Sequence, residues 1–434
     1  MDSLYNKNII IIHNDPSVYN LKMLKEAGAN LFVIGKGEKI VDFANFYKLN
    51  PFDHKSLLKL VDNINKEFPV HAVIPLWEGT VYETALVAEH LTLKGNSVES
   101  SIISRDKFLT HNALENKGIY TPKTYKVDSV HEIKKIISLP KQYPIILKLP
   151  SSTNSQSVTK VNCESELEKI FNRIQELYKE DGNRLNNVYK MGTETSNSIL
   201  VQEYVTGIEL NIDLIFSGEK IEVLGLFQKA PMYGPYFAEY RSCYPTELEE
   251  KHLNECIDCA KKAVRAIGGG IGCAHVEIKY TAIGPCIIEI ALRPGGAYTA
   301  LAIEKLYGVN VVKELTRLLV SGDFCINKDI IYQACLYGGI VIEEEGVISK
   351  IVNLEYLEEL GEVVDYKVWY KEGEHVRPLP NGSDIHLVHY ILVDKDIEYL
   401  KDIDRNIRKK IKMEIRDEKE EISDNRDSKK RIYS

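Results

Sequence analysis

The chain of 434 residues has a formal net charge of −8, with 44% apolar and 27% charged residues. That balance suits a soluble globular protein of about three domains and argues against nucleic acid as the main partner, since a face that follows its backbone is usually basic. No apolar run approaches the roughly 20 residues of a membrane-spanning helix, so neither nucleic acid nor membrane is an expected partner.

The first residues carry a short isoleucine run, Ile9 to Ile12, without a cleavage signature, and read as a first strand rather than a signal peptide. Strand Asn8 to His13, helix Val18 to Ala27, strand Leu31 to Ile34, helix His54 to Glu67, strand Ala72 to Pro75 and helix Val81 to Leu93 follow in turn. Such alternation predicts a parallel sheet with crossover helices. The glycine fingerprint of a dinucleotide fold is missing after the first strand. Glu78 lies just past a strand end, where open α/β sheets bind ligands; a solvated loop glutamate is the competing reading.

From Ser104 a charged helix runs to Gly118, followed by a turn and a strand. Tyr143 to Lys148 is an apolar strand ending on a lysine, and the polar loop Ser151 to Ser157 leads to strand Val158 to Val161. A lysine facing hydroxyls and backbone N–H groups is placed for a polyphosphate, although strand-terminal lysines also simply reach water. Helix Glu164 to Lys179 enters a polar insertion, Glu180 to Asn197, expected to be mobile. Ser198 to Glu209 reads as strand, turn at Gly207 and a second strand to Phe216. Its linker backbone can meet a flat base while Glu209 accepts from ribose hydroxyls. Strand Lys220 to Phe227 precedes an aromatic loop, Gln228 to Tyr244, and helix Leu248 to Ile267. That helix holds Cys256 and Cys259, a CxxC without a second pair or a nearby histidine at ligand spacing. Buried thiols in a reducing cytoplasm are expected there rather than zinc.

Ala274 to Gly296 predicts a hairpin: His275 to Tyr280, a turn at Ala282 to Pro285, and Cys286 to Ala291. Each strand carries a carboxylate, Glu277 and Glu289, among residues that favour burial. Buried carboxylates are costly unless a cation compensates them, and Mg²⁺ takes one or two carboxylates plus phosphate oxygens. Glutamates that face solvent are the alternative for this stretch. Arg293 and a Pro-Gly-Gly turn follow. Helical sequence from Ala297 to Ser321, β-rich sequence from Ile331 to Val393, a helix from Asp396 to Lys412 and a mixed-charge tail complete the chain.

Four motifs stand in a fixed order: Lys148 with its polar loop, Glu203-Tyr-Val-Thr-Gly207-Ile-Glu209, His275-Val-Glu277, and Glu289-Ile-Ala-Leu-Arg293-Pro-Gly-Gly. Together they resemble the ATP-grasp superfamily of carboxylate–amine ligases, and within it the L-amino-acid (dipeptide) ligases, over roughly residues 1 to 395. The resemblance implies an α/β (α+β) fold: a pre-ATP-grasp parallel domain (1–103), a two-subdomain ATP-grasp domain (104–325) with its lid at about 122–200, a β-rich C-terminal domain (326–415) and a disordered tail (416–434). It implies that Lys107, Lys148, Ser151 and Ser157 meet the ATP phosphates, that Gln202, Glu203, Tyr204 and Val205 line the adenine pocket, and that Glu209 takes the ribose. Glu277 and Glu289 would hold Mg²⁺, usually two ions, with Mn²⁺ an alternative. Arg293 and Lys148 would be the catalytic residues, Arg293 neutralising the acyl phosphate and the tetrahedral intermediate formed from it, and Glu78, Glu239, His275 and Tyr298 are candidate substrate contacts.

The implied activity joins a carboxylate, expected to be that of an amino acid, to an amine through an acyl phosphate, releasing ADP and phosphate in the cytoplasm. A carrier protein and a second copy of the chain are further partners consistent with the resemblance. Two features depart from the family pattern. Ala291 stands where an asparagine is common, and the Ser151 to Ser157 loop has no glycine. Two other readings compete: a biotin-carboxylase-like or carrier-acylating enzyme, and a degenerate ATP-binding regulator.

Overall fold

The computed structural model describes residues 3–137, 143–151, 157–180, 198–232, 234–296, 298–381 and 385–416. The chain begins with β1 (Asn8–Ile12), α1 (Val18–Glu26), β2 (Asn30–Gly35), β3 (Asn45–Lys48), α2 (His54–Glu67), β4 (Val70–Ile74), α3 (Val81–His90) and α4 (Val98–Arg105). Four parallel strands form one sheet in the order β3-β2-β1-β4. Every residue of β1 is buried, as a strand covered on both faces requires. The Asp53 side chain accepts from the Ser56 N–H and so starts α2. The short strand β3 has no strong sequence signature and was not expected.

The single helix expected from Ser104 to Gly118 is two helices. Asp106 accepts from the N–H groups of Phe108 and Leu109 and caps α5 (Lys107–Glu115). An N-cap residue sits outside helical geometry, so Arg105 closes one helix and Lys107 opens the next.

A second unit holds β5 (Thr124–Val127), α6 (Val130–Ile136), β6 (Ile145–Lys148), β7 (Thr159–Val161), α7 (Glu164–Glu180) and β8 (Ile199–Glu203). Its antiparallel sheet runs β5-β8-β6-β7 over its own core, which includes Ile133, Leu147, Leu167, Phe171 and Val201. Residues 152–156 of the expected phosphate loop, 181–197 of the polar insertion and 417–434 of the tail lie outside the described residues.

The remaining elements are β9 (Ile208–Ser217), β10 (Lys220–Lys229), β11 (Arg241–Tyr244), α8 (Glu250–Ala266), β12 (Ile271–Thr281), β13 (Gly284–Ala291), α9 (Thr299–Tyr307), α10 (Val311–Ser321), β14 (Ala334–Val341), β15 (Gly346–Val352), α11 (Tyr356–Glu359), β16 (Val363–Val368), β17 (His375–Val376), β18 (His386–Asp394), α12 (Ile397–Lys410) and β19 (Lys412–Arg416). Eight strands form one sheet, β13-β12-β9-β10-β11-β14-β18-β16, and β17-β15-β19 form a smaller one. The C-terminal strands therefore continue the large sheet through the β11–β14 pairing. One core joins Ile9, Val33 and Ile74 of the parallel sheet to Ile303 and Leu315 of α9 and α10, and to Phe227, Cys335 and Ile391 of the large sheet.

Candidate active site

Side chains of directly opposed residues in an antiparallel pair share a face. Glu277 on β12 pairs with Glu289 on β13 and, on its other side, with Asn211 on β9. The three stand in one row. The next row is Ala291, His275 and Asp213. The hairpin expected from the sequence is present, with Gly284 and Pro285 already part of β13 rather than of the turn.

Cations surround the row. Lys107 Nζ lies 3.3 Å from Glu289 Oε1. Lys229 Nζ sits 3.0 Å from Glu277, 3.2 Å from Glu209 and 3.3 Å from Glu239, with its side chain 4% exposed. Burial works against the charged Lys229, but Glu239, Glu277 and Glu209 overcome it and hold the ammonium well above the ordinary range. Burial would likewise raise the Glu277 carboxyl, yet Lys229 and then His275 draw it down. Glu209 also meets Lys279 at 3.2 Å, and Lys279 donates to the Val205 carbonyl at 3.2 Å.

Lys148 closes β6 and is buried. Its Nζ donates to Gln202 Oε1 at 2.9 Å. Gln202 Nε2 in turn lies 2.7 Å from His111 Nε2 and 2.8 Å from Thr124 Oγ1. Burial, with Lys148 and Lys107 nearby, pushes the His111 imidazole well below its usual value, so the neutral ring accepts from the Gln202 amide. Lys148 itself is brought down to about 7, by burial first and then by Lys107, with Glu289 and Glu277 opposing. The Gln202 side chain, expected at an adenine, spans from Lys148 to His111. The Glu203 side chain is exposed, and its N–H donates to Lys123 O at 3.0 Å. Val205 is buried, and the Tyr204 ring lies under Lys160 Nζ at 4.2 Å. Ser151 and Ser157 are both buried. Ser151 Oγ accepts from Arg105 Nη2 at 3.3 Å, and Ser157 Oγ accepts from the Leu149 N–H at 3.1 Å.

Glu78 is not the solvated loop glutamate of the competing reading. It is 8% exposed, accepting from Arg293 Nε at 2.6 Å and from Arg105 Nη1 at 2.7 Å. Burial would raise its carboxyl, but Arg293 and Arg105 prevail and hold it to about 2. The crossing of the parallel sheet's loop against α4 and the Arg293 turn creates this contact. Arg293 also donates from Nη1 to its neighbour's carbonyl, Pro294 O, at 2.8 Å.

His275 Nδ1 lies 3.1 Å from Asp213 Oδ2, and its Nε2 lies 3.9 Å from Glu277. Burial lowers the imidazole, while Asp213 outweighs it and raises the group overall. Asp213 Oδ1 accepts from the Gly295 N–H at 2.7 Å. A Cβ at position 295 would stand 2.8 Å from His275 and 2.9 Å from Asp213, so only glycine permits this approach. Glu239 faces Lys229 through its carboxylate, while its carbonyl accepts from His386 Nε2 at 2.7 Å. Tyr298 lies edge-on to His389, ring centroids 5.9 Å apart. His389 Nδ1 accepts from Trp369 Nε1 at 2.8 Å. Position 297, the first of the helical stretch expected from Ala297 to Ser321, lies outside the described residues.

Lys229, Asn211, Asp213, Arg105 and His111 were not identified from the sequence. Lys229 carries the same mark as Lys148, a lysine closing an apolar strand; β10 continues to it, two residues past its expected end at Phe227. Among the described residues, those around Cys256 and Cys259 included, no group of three His, Cys, Asp or Glu side chains is arranged to bind a metal. Burial pushes these thiols up to about 12 and about 11.

The donor chemistry of the Glu277–Glu289–Asn211 row nonetheless fits Mg²⁺. All three present oxygens, as that hard cation demands, and Asn211 Oδ1 is buried with no hydrogen-bond partner.

Residues 141–300 match the family model described as the ATP-grasp domain. Carnosine synthase 1 of Homo sapiens is 25% identical over 246 residues, covering 54% of this chain and 29% of its own length. The carbamoyl phosphate synthase large chain of Clostridium beijerinckii is 21% identical over 341 residues, 73% of this chain and 29% of its own length. The chain thus spans under a third of the length of these curated relatives. Among solved structures, an L-amino acid ligase from Bacillus licheniformis superposes with a TM-score of 0.83 at 20% identity, covering 95% of this chain and 99% of that one. A biotin carboxylase from Campylobacter jejuni superposes with a TM-score of 0.66 at 15% identity, covering 94% and 92%. At these identities the structural likeness establishes the fold.

Proposed function

The chain is a member of the ATP-grasp superfamily, and from that premise we propose that it is an ADP-forming ligase joining the carboxylate of an amino acid to an amine. The observation that carries the reading is the convergence on one sheet face of two opposed carboxylates, two lysines and an arginine fixed by its own counter-ion. Phosphoryl transfer needs little covalent help and much neutralisation of charge.

In this reading Lys107 and Lys148 grip the ATP phosphates, and the backbone from Gln202 to Val205 borders the base. Glu209 accepts from the ribose. Glu277 and Glu289 would hold Mg²⁺, which would supply charge neutralisation for the ATP phosphates. A substrate carboxylate oxygen attacks the γ-phosphorus, the bond to the β-phosphate oxygen breaks, and ADP leaves. The amine then attacks the acyl carbon, the C–O bond to phosphate breaks, and the nitrogen loses its proton. Arg293, with Glu78 setting its direction, faces the negative charge that grows on the acyl phosphate and on the tetrahedral adduct. The buried Lys229 lies within ion-pair distance of both Glu277 and Glu209 and keeps them in place. Substrates are small molecules; the L-amino acid ligase that shares this fold along nearly the whole chain supports an amino acid as the acyl donor.

Phosphate release should be measured across pairs of amino acids with ATP and Mg²⁺, and the product weighed by mass spectrometry. Release of ADP and phosphate that needs both an acid and an amine, with an amide product, supports the ligase. Bicarbonate-dependent turnover would favour the carboxylase-like alternative. Tight nucleotide binding with no substrate-dependent release would make the protein a regulator.

A further inference from the structure

We propose that Asn211 supplies an amide oxygen to the divalent cation held by Glu277 and Glu289, completing from β9 a ligand set that β13 leaves short. The inference rests on the nucleotide–metal reading of this face. Glu289, Glu277 and Asn211 stand in register across three neighbouring strands, about 4.8 Å apart strand to strand. Glu277 is in the middle, within reach of a cation shared with either side.

The next outward position on β13 is Ala291, two residues after Glu289 and therefore on the same face. It is 3% exposed and brings no donor atom. Asn211 is 2% exposed. Its Nδ2 donates to Tyr337 Oη at 3.4 Å, and Tyr337 Oη is itself 3.1 Å from Thr299 Oγ1. That contact turns the amide nitrogen away from the row, and Oδ1 has no hydrogen-bond partner. A buried acceptor without a donor costs about 1–3 kcal/mol. Here its row neighbour is a carboxylate, which also only accepts. Two acceptors side by side, the amide oxygen buried and the carboxylate part-buried, call for a cation between them, and an amide oxygen is an ordinary ligand for Mg²⁺ or Mn²⁺.

The test uses Mn²⁺ as the probe, its binding to the full chain read by electron paramagnetic resonance in the presence of ADP. Binding of Mn²⁺ with ADP to the unaltered protein checks the underlying reading separately; if none occurs, that reading fails before Asn211 is at issue. Asn211→Ala should weaken Mn²⁺ binding roughly 10- to 100-fold, while metal-free ADP affinity and the melting temperature stay near those of the unaltered chain. Ala291→Asn in the Asn211→Ala background should recover much of the lost affinity, because it returns an amide oxygen to the same face. Asn211→Asp should bind Mn²⁺ more tightly. Unchanged Mn²⁺ affinity in Asn211→Ala overturns the proposal. So does weaker Mn²⁺ binding in Asn211→Asp, which would mean that the amide serves as an N–H donor to Glu277. An Asn211→Ala chain that fails to fold leaves the Asp variant to decide.

Discussion

Arg293 directs Nε at Glu78 Oε2 across 2.6 Å, and the second oxygen of the same carboxylate is taken by Arg105 at 2.7 Å. A residue that follows the parallel sheet thereby fixes an arginine that follows the Glu277–Glu289 hairpin. Arg105 also reaches Ser151, in the loop after β6. One carboxylate thus ties three parts of the chain, and its loss should be felt in both stability and turnover.

Glu78→Gln keeps the shape and removes the charge that the largely buried guanidinium groups of Arg293 and Arg105 share. Breaking such a cluster costs about 3–5 kcal/mol, to be read from denaturant unfolding. Turnover should fall more than ADP affinity, since Arg293 loses its direction and Lys107 and Lys148 do not. The effect also has a pH signature. The Glu78 carboxyl is held near 2 in the folded chain against 4.5 ordinarily, so its ionisation contributes about 3 kcal/mol of stability. That contribution is complete above pH 4.5 and disappears as the pH falls toward 2. The Gln variant should lack this part of the acid transition, so its deficit should narrow over that window.

Lys148 offers a second pH effect. Its ammonium is brought down to about 7 in the free protein, and phosphate oxygens beside it would favour the charged form. Nucleotide binding near neutral pH should therefore take up a proton, and affinity should fall as pH rises above 7. Titration calorimetry in buffers of different ionisation enthalpy measures the uptake directly. In Lys148→Met both the affinity and its pH dependence should drop; an unchanged proton uptake would place the titrating group elsewhere.

Lys229→Met removes the one cation that Glu209, Glu277 and Glu239 share. Uncompensated carboxylates should cost about 3–5 kcal/mol at pH 7.5. Burial raises the Glu277 carboxyl and Lys229 foremost draws it down, so without Lys229 that carboxyl rises and its protonation relieves the repulsion as the pH is lowered. Urea midpoints at pH 5 and 7.5 should show the deficit shrinking at the lower pH. An equal deficit at both values would assign Lys229 a packing role only.

Glu289→Ala should abolish Mg²⁺-dependent ADP release while leaving the fold intact, because the glutamate side chain is 35% exposed and its truncation opens no buried cavity. Turnover at the unaltered rate would remove Glu289 from the site.

Thiol labelling checks the reading of the cysteines. Cys163 and Cys325 are exposed, whereas Cys256 is buried, and burial raises Cys256 and Cys259 to about 12 and 11. Brief alkylation at pH 7.5, followed by peptide mass spectrometry, should mark the first two and spare the CxxC pair.

What could be read from the sequence was mostly local. Helix α2 has its expected limits, His54 and Glu67, because Asp53 caps it and its apolar positions recur every turn. The facing of Glu277 and Glu289 was readable because a hairpin makes near neighbours in sequence near neighbours in space. The facing of Asn211 was not, since β9 reaches β12 only after β10, β11 and α8 intervene. Glu78 is separated from Arg293 by 215 positions, and nothing in its own surroundings signals an ion pair. The break at Asp106 was hidden because a capping aspartate inside a charged helical pattern resembles one more surface residue. Lys229 went unnoticed where a strand ran slightly further than its apolar pattern.

The continuity of the large sheet sets where the chain can be cut. A break before β14 would leave β11, four residues long, as a bare edge of unpaired N–H and C=O groups. It would also strip Cys335, Tyr337 and Ile391 from the core that covers the parallel sheet. Exposed edges of that kind recruit other chains. Expression of the matched ATP-grasp segment alone should therefore give aggregates, and fusion or circular-permutation designs should open the chain at the tips of surface turns instead, such as Ala282–Ile283, where Ile283 is 79% exposed.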